Sequence, residues 1–165
     1  MKTVKKIFFS LVFLAAFIAN ATLTMAQKSP TAKTIAIKNA IDSQNYIFYA
    51  QYVNPLRGGQ RYLTPYYTMS ISKDTISCDL PYFGRAYTAP IGTSEGGIKF
   101  TSTNFGYTIA ARKKGGWDVS IKPKDGIDVQ QVTMTIYDDG TTSVQVISNN
   151  RDAISYNGYI TKSKK

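Results

Sequence analysis

The stretch VTMTIYDDGTTSVQVI, residues 132–147, decides the fold class of this chain. Valine, methionine and isoleucine alternate with threonines over residues 132–136, and valines resume the alternation at positions 144 and 146. The intervening DDG, residues 138–140, is typical of a tight turn whose glycine takes the left-handed conformation. The stretch therefore predicts an antiparallel β-hairpin with one buried face.

The same alternation, carried by β-branched and aromatic residues, runs through most of the chain after Asn45. It predicts further strands in NYIFYAQYV (45–53), YYTMSIS (66–72), TISCDL (75–80), IKFTS (98–102), FGYTIAARK (105–113), WDVSIKP (117–123) and ISYNGYIT (154–161). The first of these strands has aromatic residues on both faces, which predicts that both of its faces are covered.

One helix precedes the strands, in SPTAKTIAIKNAIDSQ (29–44). Ser29 suits the cap and Pro30 the first helical position, while an isoleucine, an alanine and an isoleucine at 37, 40 and 41 form an apolar stripe. The expected fold class is α+β. An N-terminal helix is followed by an antiparallel meander of about eight strands in sequential order. We expect a strongly curled sheet or incomplete barrel, with the helix covering one face or plugging one end.

The first 26 residues have the pattern of a signal peptide. Three lysines precede an apolar run at residues 7–19, and Thr24-Met25-Ala26 supplies small residues for cleavage. The run is shorter than the roughly 20 apolar residues that a spanning helix needs. We therefore predict cleavage near Ala26 and export to the periplasm or beyond. The mature chain is expected to be a single domain, residues 27–165, without a transmembrane segment.

Charge favours anionic partners for this predicted domain. Removing Lys2, Lys5 and Lys6 from a chain of formal charge +10 leaves about +7. The expected partners are an anionic glycan, a lipid or an envelope protein, and a nucleic acid is not expected. The two basic clusters, residues 112–114 and 162–165, are more typical of a solvated surface than of a binding site.

Composition excludes several kinds of catalysis. The chain has no histidine, so a Ser-His-Asp triad, a Cys-His pair and an ordinary zinc site are all ruled out. Its one cysteine, Cys78, is expected to be a buried strand residue, and no cofactor or metal is predicted. The aspartates at 125, 128, 138 and 139 are expected to bind turn backbone. Glu95, the one glutamate, is either a general acid or base on a loop or another turn residue.

The stretch DLPYFGRAYTAPIGTSEGGIKF, residues 79–100, has two interpretations. In the structural one, Pro81 ends a strand, Gly84 bends the chain, aromatic side chains pin the loop and Arg85 pairs with a carboxylate. In the other, Arg85 and the backbone amides of Gly96 and Gly97 hold an anion between tyrosine rings. The candidate ligand-binding residues are Tyr82, Phe83, Arg85, Tyr87, Glu95, Gly96, Gly97, Arg61 and Tyr62, and the same candidate surface includes Arg57 and Tyr66.

The run LPYFGRAY (80–87), followed by GGI (96–98) and Phe100, resembles the signature of the family called domain of unknown function 4251. Asn54-Pro55 and Tyr156-Asn157-Gly158 also resemble this family of exported proteins from Gram-negative gut bacteria. The resemblance covers the whole mature chain. It implies one exported domain of helix and antiparallel strands, and it implies no activity.

The leading functional hypothesis is an exported, non-enzymatic domain that binds a ligand or partner in the periplasm or at the cell surface. A hydrolase of an anionic or glycan polymer, acting through Glu95 or an aspartate, is one alternative. A structural subunit that contributes a sheet edge to an envelope assembly is another.

Overall fold

A computed structural model describes residues 31–64, 66–87 and 96–163. The predicted signal peptide, Ser29, Pro30 and Glu95 lie outside the described residues. The elements are α1 (Ala32–Asp42), β1 (Tyr46–Pro55), β2 (Arg61–Tyr62), β3 (Thr68–Ile71), β4 (Ile76–Leu80), β5 (Ile98–Ser102), β6 (Phe105–Ala111), β7 (Trp117–Pro123), β8 (Val129–Ile136), β9 (Thr141–Ser148) and β10 (Ile154–Lys162).

All ten strands belong to one antiparallel sheet, in the order β5-β4-β3-β1-β10-β9-β8-β7-β6, with β2 beside β1. Sequential neighbours pair from β3 to β5 and from β6 to β10, as the alternation predicted. The strictly sequential order is wrong at two places, because β1 pairs with β10 and joins the two runs, and because the consecutive strands β5 and β6 do not pair. The two-residue β2 was not predicted, since two residues show no period.

The sheet is nearly closed, like a barrel. Its two edge strands, β5 and β6, do not pair with each other, although only Thr103 and Asn104 separate them along the chain. A sheet whose first and last strands are joined by two residues must curl until its edges meet at that point. The predicted curled sheet is therefore confirmed, in a molecule that is mostly β.

The core fills the inside of this curled sheet. The β8–β9 hairpin supplies five completely buried side chains, Val132, Met134, Ile136, Val144 and Val146. Gly140 has φ +83°, so the tight turn with a left-handed glycine is confirmed. Cys78 is also buried, as predicted, and burial raises the pKa of its thiol.

Helix α1 begins two residues later than predicted. Thr31 is extended, with ψ 159°, and its Oγ1 accepts a hydrogen bond from the Thr34 amide at 3.2 Å, so Thr31 rather than Ser29 is the cap. The predicted apolar stripe is buried, and its Ile37 side chain approaches Gly140 in the β8–β9 turn. The Tyr107 hydroxyl donates to the Ile41 carbonyl at 3.3 Å. The helix therefore packs against the sheet through one apolar face.

Asp125 holds the turn between β5 and β6. Its carboxylate accepts hydrogen bonds from the Thr103 amide at 2.9 Å, the Asn104 amide at 3.2 Å and the Ser102 hydroxyl at 3.1 Å. Desolvation acts to raise the pKa of Asp125, but these hydrogen bonds outweigh it and lower the pKa. The residue thus fastens the place where the two sheet edges meet.

Asp125→Asn is expected to destabilise the protein at neutral pH and to have no effect in strong acid. Because the folded pKa is depressed, the stabilisation is complete above the ordinary aspartate value of about 3.9. It is lost as the pH falls through the lower folded value. Urea unfolding midpoints of both proteins, measured across this acid range, test the prediction. Asp74→Asn, in the exposed β3–β4 turn, is the control. A difference between Asp125→Asn and the unmodified chain that persists at the lowest pH would contradict it.

Candidate functional site

Five tyrosine side chains lie together on the outer face of the sheet around β1. They are Tyr49, Tyr52, Tyr62, Tyr66 and Tyr159. The exposed fractions of Tyr62 and Tyr66 are 68% and 89%. The prediction that both faces of β1 are covered is therefore wrong, because its outer aromatic residues border an open surface. We call this surface the tyrosine cleft.

A bulge in β1 places its tyrosines on one side. Two residues three positions apart, such as Tyr49 and Tyr52, normally point to opposite faces of a strand. The β1–β10 register shifts between Ala50 and Tyr52, which inserts one extra residue, Gln51. Both tyrosines consequently face outward, while Ala50 and Val53 on either side of the bulge are both buried.

The rings are already arranged in pairs. Tyr49 in β1 lies opposite Tyr159 in β10, and their rings stack with centroids 5.4 Å apart and an interplanar angle of 14°. Tyr52 lies opposite Tyr62 in β2, and those rings meet edge to face at 5.4 Å and 73°. Such geometries stabilise aromatic pairs. The short β2 therefore serves to hold Tyr62 beside β1.

The cleft encloses about 590 Å³. Its lining is formed by Tyr49, Ala50, Gln51, Tyr62, Leu63, Tyr66, Thr68 and Tyr159. No charged side chain belongs to this lining. Tyr66 has φ +113°, a strained conformation for an aromatic residue. Its ring is also the most exposed of the five.

The loop Pro81–Tyr87 forms a second, separate structure. Its backbone pairs with the β9–β10 connection: Ala86 bridges to Arg151, and the Tyr87 amide donates to the Asn150 carbonyl at 2.8 Å. The Tyr82 hydroxyl contacts the carbonyls of Arg85 at 2.7 Å and Asp152 at 3.2 Å. These contacts fix the loop against the sheet, as the structural interpretation requires.

Tyrosine pKa values reflect the same contacts. Desolvation, followed by the nearby Asp152 charge, raises the pKa of Tyr82. The Tyr87 hydroxyl donates to the Asp152 carboxylate, and this hydrogen bond raises the pKa of Tyr87. Both hydroxyls are therefore protonated donors at neutral pH, and neither is a base.

Arg151, which the sequence analysis did not single out, is the centre of this second structure. Its Nε lies 3.4 Å from the Asp128 carboxylate, and its Nη1 donates to the Gly97 carbonyl at 2.8 Å. Its guanidinium also lies over the Tyr82 ring, 5.3 Å from the centroid. The structural interpretation expected Arg85 to pair with a carboxylate, but the arginine that does so beside this loop is Arg151. The contacts seen at Arg85 use its backbone carbonyl.

The remaining candidate residues lie either in the tyrosine cleft or around the Pro81–Tyr87 loop. Tyr62 lies in the tyrosine cleft, and the guanidinium of Arg61 lies 5.0 Å from the Phe83 centroid, linking the cleft's edge to the loop. Gly96 is exposed, and Gly97 borders a smaller cavity of about 320 Å³ beside β5 and Arg151. The anion cradle of Arg85, Gly96 and Gly97 stays a prediction, since Glu95 and its preceding residues lie outside the described part.

The aspartates expected at turns accept hydrogen bonds from the backbone of loops. Asp139 binds its own turn through the Thr141 amide and hydroxyl, each at 2.9 Å, and these hydrogen bonds lower its pKa. Asp138 and Asp128 instead accept from the amides of Gly116 and Asn150 in neighbouring loops. Within residues 31–64, 66–87 and 96–163, no three His, Cys, Asp or Glu side chains form a metal-sized group. In the same ranges, no helix has the length and apolar character to cross a membrane.

Comparison with known proteins gives one family. The sequence model of a family described as Domain of unknown function (DUF4251) matches residues 28–160. The crystal structure of a DUF4251 family protein from Bacteroides eggerthii DSM 20697 is similar in fold, with a TM-score of 0.63 and 18% sequence identity. The similarity covers 82% of this chain and 91% of that one. No curated protein matches the chain.

Proposed function

This chain belongs to the DUF4251 family, and we propose that it is an exported, non-enzymatic protein that binds an uncharged carbohydrate chain in its tyrosine cleft. The observation that carries the proposal is the cleft itself. Its volume of about 590 Å³ lies within the usual range for ligand sites, roughly 300–1,000 Å³. Such sites are lined mainly by aromatic and apolar side chains with a few polar groups, as this one is.

The lining favours a saccharide over other ligands. A pyranose ring has C–H bonds on its faces and hydroxyls around its edge. A tyrosine matches both parts of the sugar, because its apolar ring face can contact the C–H bonds and its polar hydroxyl can contact the sugar hydroxyls. The ring pairs Tyr49–Tyr159 and Tyr52–Tyr62 are held by contacts within the protein, so binding has less side-chain freedom to remove.

Charge argues for an uncharged ligand at this position. The whole domain is basic, which favoured an anionic partner from sequence alone. The lining of the cleft contains no arginine or lysine, and the nearest basic residue in sequence, Arg61, has its guanidinium over Phe83. A charged group in the cleft would lose water without gaining a counter-charge, at a cost in binding free energy. Neutral glycans are therefore preferred over anionic ones.

Export is supported by the basic and apolar pattern of residues 1–26. The protein recovered from a periplasmic extract should begin at Gln27, which N-terminal mass spectrometry measures. A chain that retains Met1 and stays in the cytoplasm would contradict this part of the proposal.

Tyr62→Ala with Tyr66→Ala is expected to weaken glycan binding by about 10- to 100-fold, since each aromatic contact contributes roughly 0.5–1.5 kcal/mol beyond its buried area. Tyr66 is 89% exposed and Tyr62 loses its edge-to-face contact with Tyr52, so the free energy of unfolding should fall by no more than about 0.5–1.5 kcal/mol. The probes are soluble neutral glucans, mannans and xylans, with polygalacturonate as the anionic comparison. Binding is measured by calorimetry after a thermal-shift screen, and polymer length should not change on incubation.

Tyr137→Ala provides the matched control, because Tyr137 is 46% exposed and lies outside the cleft. It should bind the same glycans with unchanged affinity. Equal weakening in both variants, or binding confined to polygalacturonate, would refute the assignment of the cleft.

A further inference from the structure

The outer face of the sheet between β8 and β10 carries almost no charge. Strands β8 and β9 contain no charged residue, and β10 contains one, Lys162 at its end. Apart from Ile147 and Tyr159, the alternate residues of these strands that stay out of the core are serine, threonine, asparagine or glutamine. An exposed surface normally mixes charged residues of both signs. In a chain with 20 lysines and arginines, this face is therefore unusual.

A row of side chains crosses this face, starting at the tyrosine cleft. Tyr52 of β1 lies opposite Asn157 of β10. Asn157 lies opposite Ser143 of β9, which in turn lies opposite Thr135 of β8. Residues that are directly opposite in paired strands point to the same face, and Tyr52 points outward, so the whole row does. Because Tyr52 meets Tyr62 edge to face, the row begins at a ring pair of the cleft.

The polar side chains of this row have unused hydrogen-bonding groups. Within the described residues, the side chains of Asn157 and Ser143 make no hydrogen bond to the protein, and neither does that of the exposed Gln145 beside them. The Thr135 hydroxyl donates to the Asp118 carboxylate at 2.8 Å, and its oxygen can still accept. Amides and hydroxyls together supply donors and acceptors without charge, which is what the hydroxyls of an uncharged sugar require.

The opposite side of the cleft ends at a charged pair. Tyr49 of β1 lies opposite Thr68 of β3, and Thr68 lies opposite Asp79 of β4. Asp79 lies opposite Lys99 of β5, whose Nζ is 3.7 Å from the Asp79 carboxylate. A neutral chain laid in that direction would remove water from both charges, at a cost in binding free energy. The uncharged row beyond Tyr52 is the more favourable direction.

We propose that a glycan held in the tyrosine cleft continues across the strands over Asn157, Ser143 and Thr135, so that the protein binds a chain of several sugar units. This inference rests on the proposed function of the cleft. From Tyr52 to Thr135 the row covers three strand spacings, roughly 14 Å at about 4.8 Å each, which is longer than a single sugar ring. The ligand class is therefore a long neutral oligosaccharide or a polysaccharide.

The length of the ligand tests the proposal. Disaccharides and hexasaccharides prepared from glucan, mannan and xylan are compared by calorimetry. We expect the hexasaccharide of the bound glycan to bind about tenfold more tightly than its disaccharide. Asn157→Ala with Ser143→Ala should remove most of this advantage, because each hydrogen bond is worth roughly 2- to 10-fold in affinity. Disaccharide binding should be unchanged, which also shows that the variant is folded.

Ser70→Ala with Ser77→Ala is the matched control, because these paired serines lie on the outer face of β3 and β4, on the other side of the cleft. It should bind both lengths as the unmodified chain does. Ser143→Lys is a second variant, which places a charge within the row. It should lose the preference for the hexasaccharide and keep its affinity for the disaccharide.

Three results would overturn the proposal while leaving the cleft in place. They are equal affinities of the unmodified chain for the two lengths, equal weakening of hexasaccharide binding in the serine control, and a dimer of the unmodified chain that Ser143→Lys abolishes in sedimentation. Absence of binding at either length would overturn the cleft and the row together.

Discussion

Gly158→Ala is expected to destabilise the protein strongly, because Gly158 has the closest backbone contact among the glycines of the described residues. A Cβ at Gly158 would lie 1.9 Å from the carbonyl oxygen of Tyr49 and 2.9 Å from its carbonyl carbon. Both are backbone atoms of the neighbouring strand and cannot rotate away, so β1 and β10 must separate. Since overpacking ordinarily costs about 1–3 kcal/mol, we expect a loss of about 3 kcal/mol or more in the free energy of unfolding.

Gly59→Ala is the matched control for that experiment. No atom lies within 4 Å of a Cβ built at Gly59, so its urea unfolding midpoint should equal that of the unmodified protein. Circular dichroism followed through a urea titration measures both variants. Equal midpoints for Gly158→Ala and Gly59→Ala would show that β1 and β10 do not approach as closely as described.

The position of Gly158 explains how the tyrosine cleft is built. Gly158 lies opposite Ala50, at the point where the β1–β10 register shifts to accommodate Gln51. The bulge that turns Tyr52 outward thus coincides with the close approach that only glycine permits. β1 and β10 are also the strands that join the two runs of the sheet. The cleft therefore lies on a strand pair that the fold needs. Residues 49–52 consequently serve both folding and the proposed binding.

Sequence reasoning succeeded where the deciding information is local. The 132–147 hairpin shows alternation in both strands and a glycine at its turn, and the structure has both features. The pairing of β1 with β10 was missed because it joins the two ends of the domain, and alternation does not show which distant strands pair. The curl was predictable only as a tendency, since its closure depends on that pairing.

The site was only partly predictable for a related reason. Tyr62 was among the candidates because it lies outside the strong alternation. Strand packing was the expected role of Tyr49, Tyr52 and Tyr159. A bulge breaks the period of two, so the sequence of a bulged strand suggests aromatic residues on both faces. The spacing of three between Tyr49 and Tyr52 across a polar Gln51 is the signal that indicates a bulge.

Arg151→Met is the second variant from which we expect a large effect. The substitution keeps much of the side-chain length but removes every polar contact of the guanidinium. It leaves the Asp128 carboxylate and the Gly97 carbonyl without the partner they have now. The Arg151 side chain is 13% exposed and that of Asp128 is 34% exposed, so water compensates only in part. We expect a loss of about 2–3 kcal/mol in the free energy of unfolding.

Arg85→Met, in the Pro81–Tyr87 loop that Arg151 fastens, separates the two interpretations of that loop. The contacts seen at Arg85 use its carbonyl, which the substitution retains, so stability should change by no more than about 0.5 kcal/mol. A loss at Arg85 as large as that at Arg151 would mean that the Arg85 guanidinium, too, supports the fold. If Arg151→Met alone destabilises, the guanidinium that fixes the loop comes from the β9–β10 connection. The Arg85 side chain then remains available for the predicted anion cradle, which Arg85→Met would abolish without loss of folding.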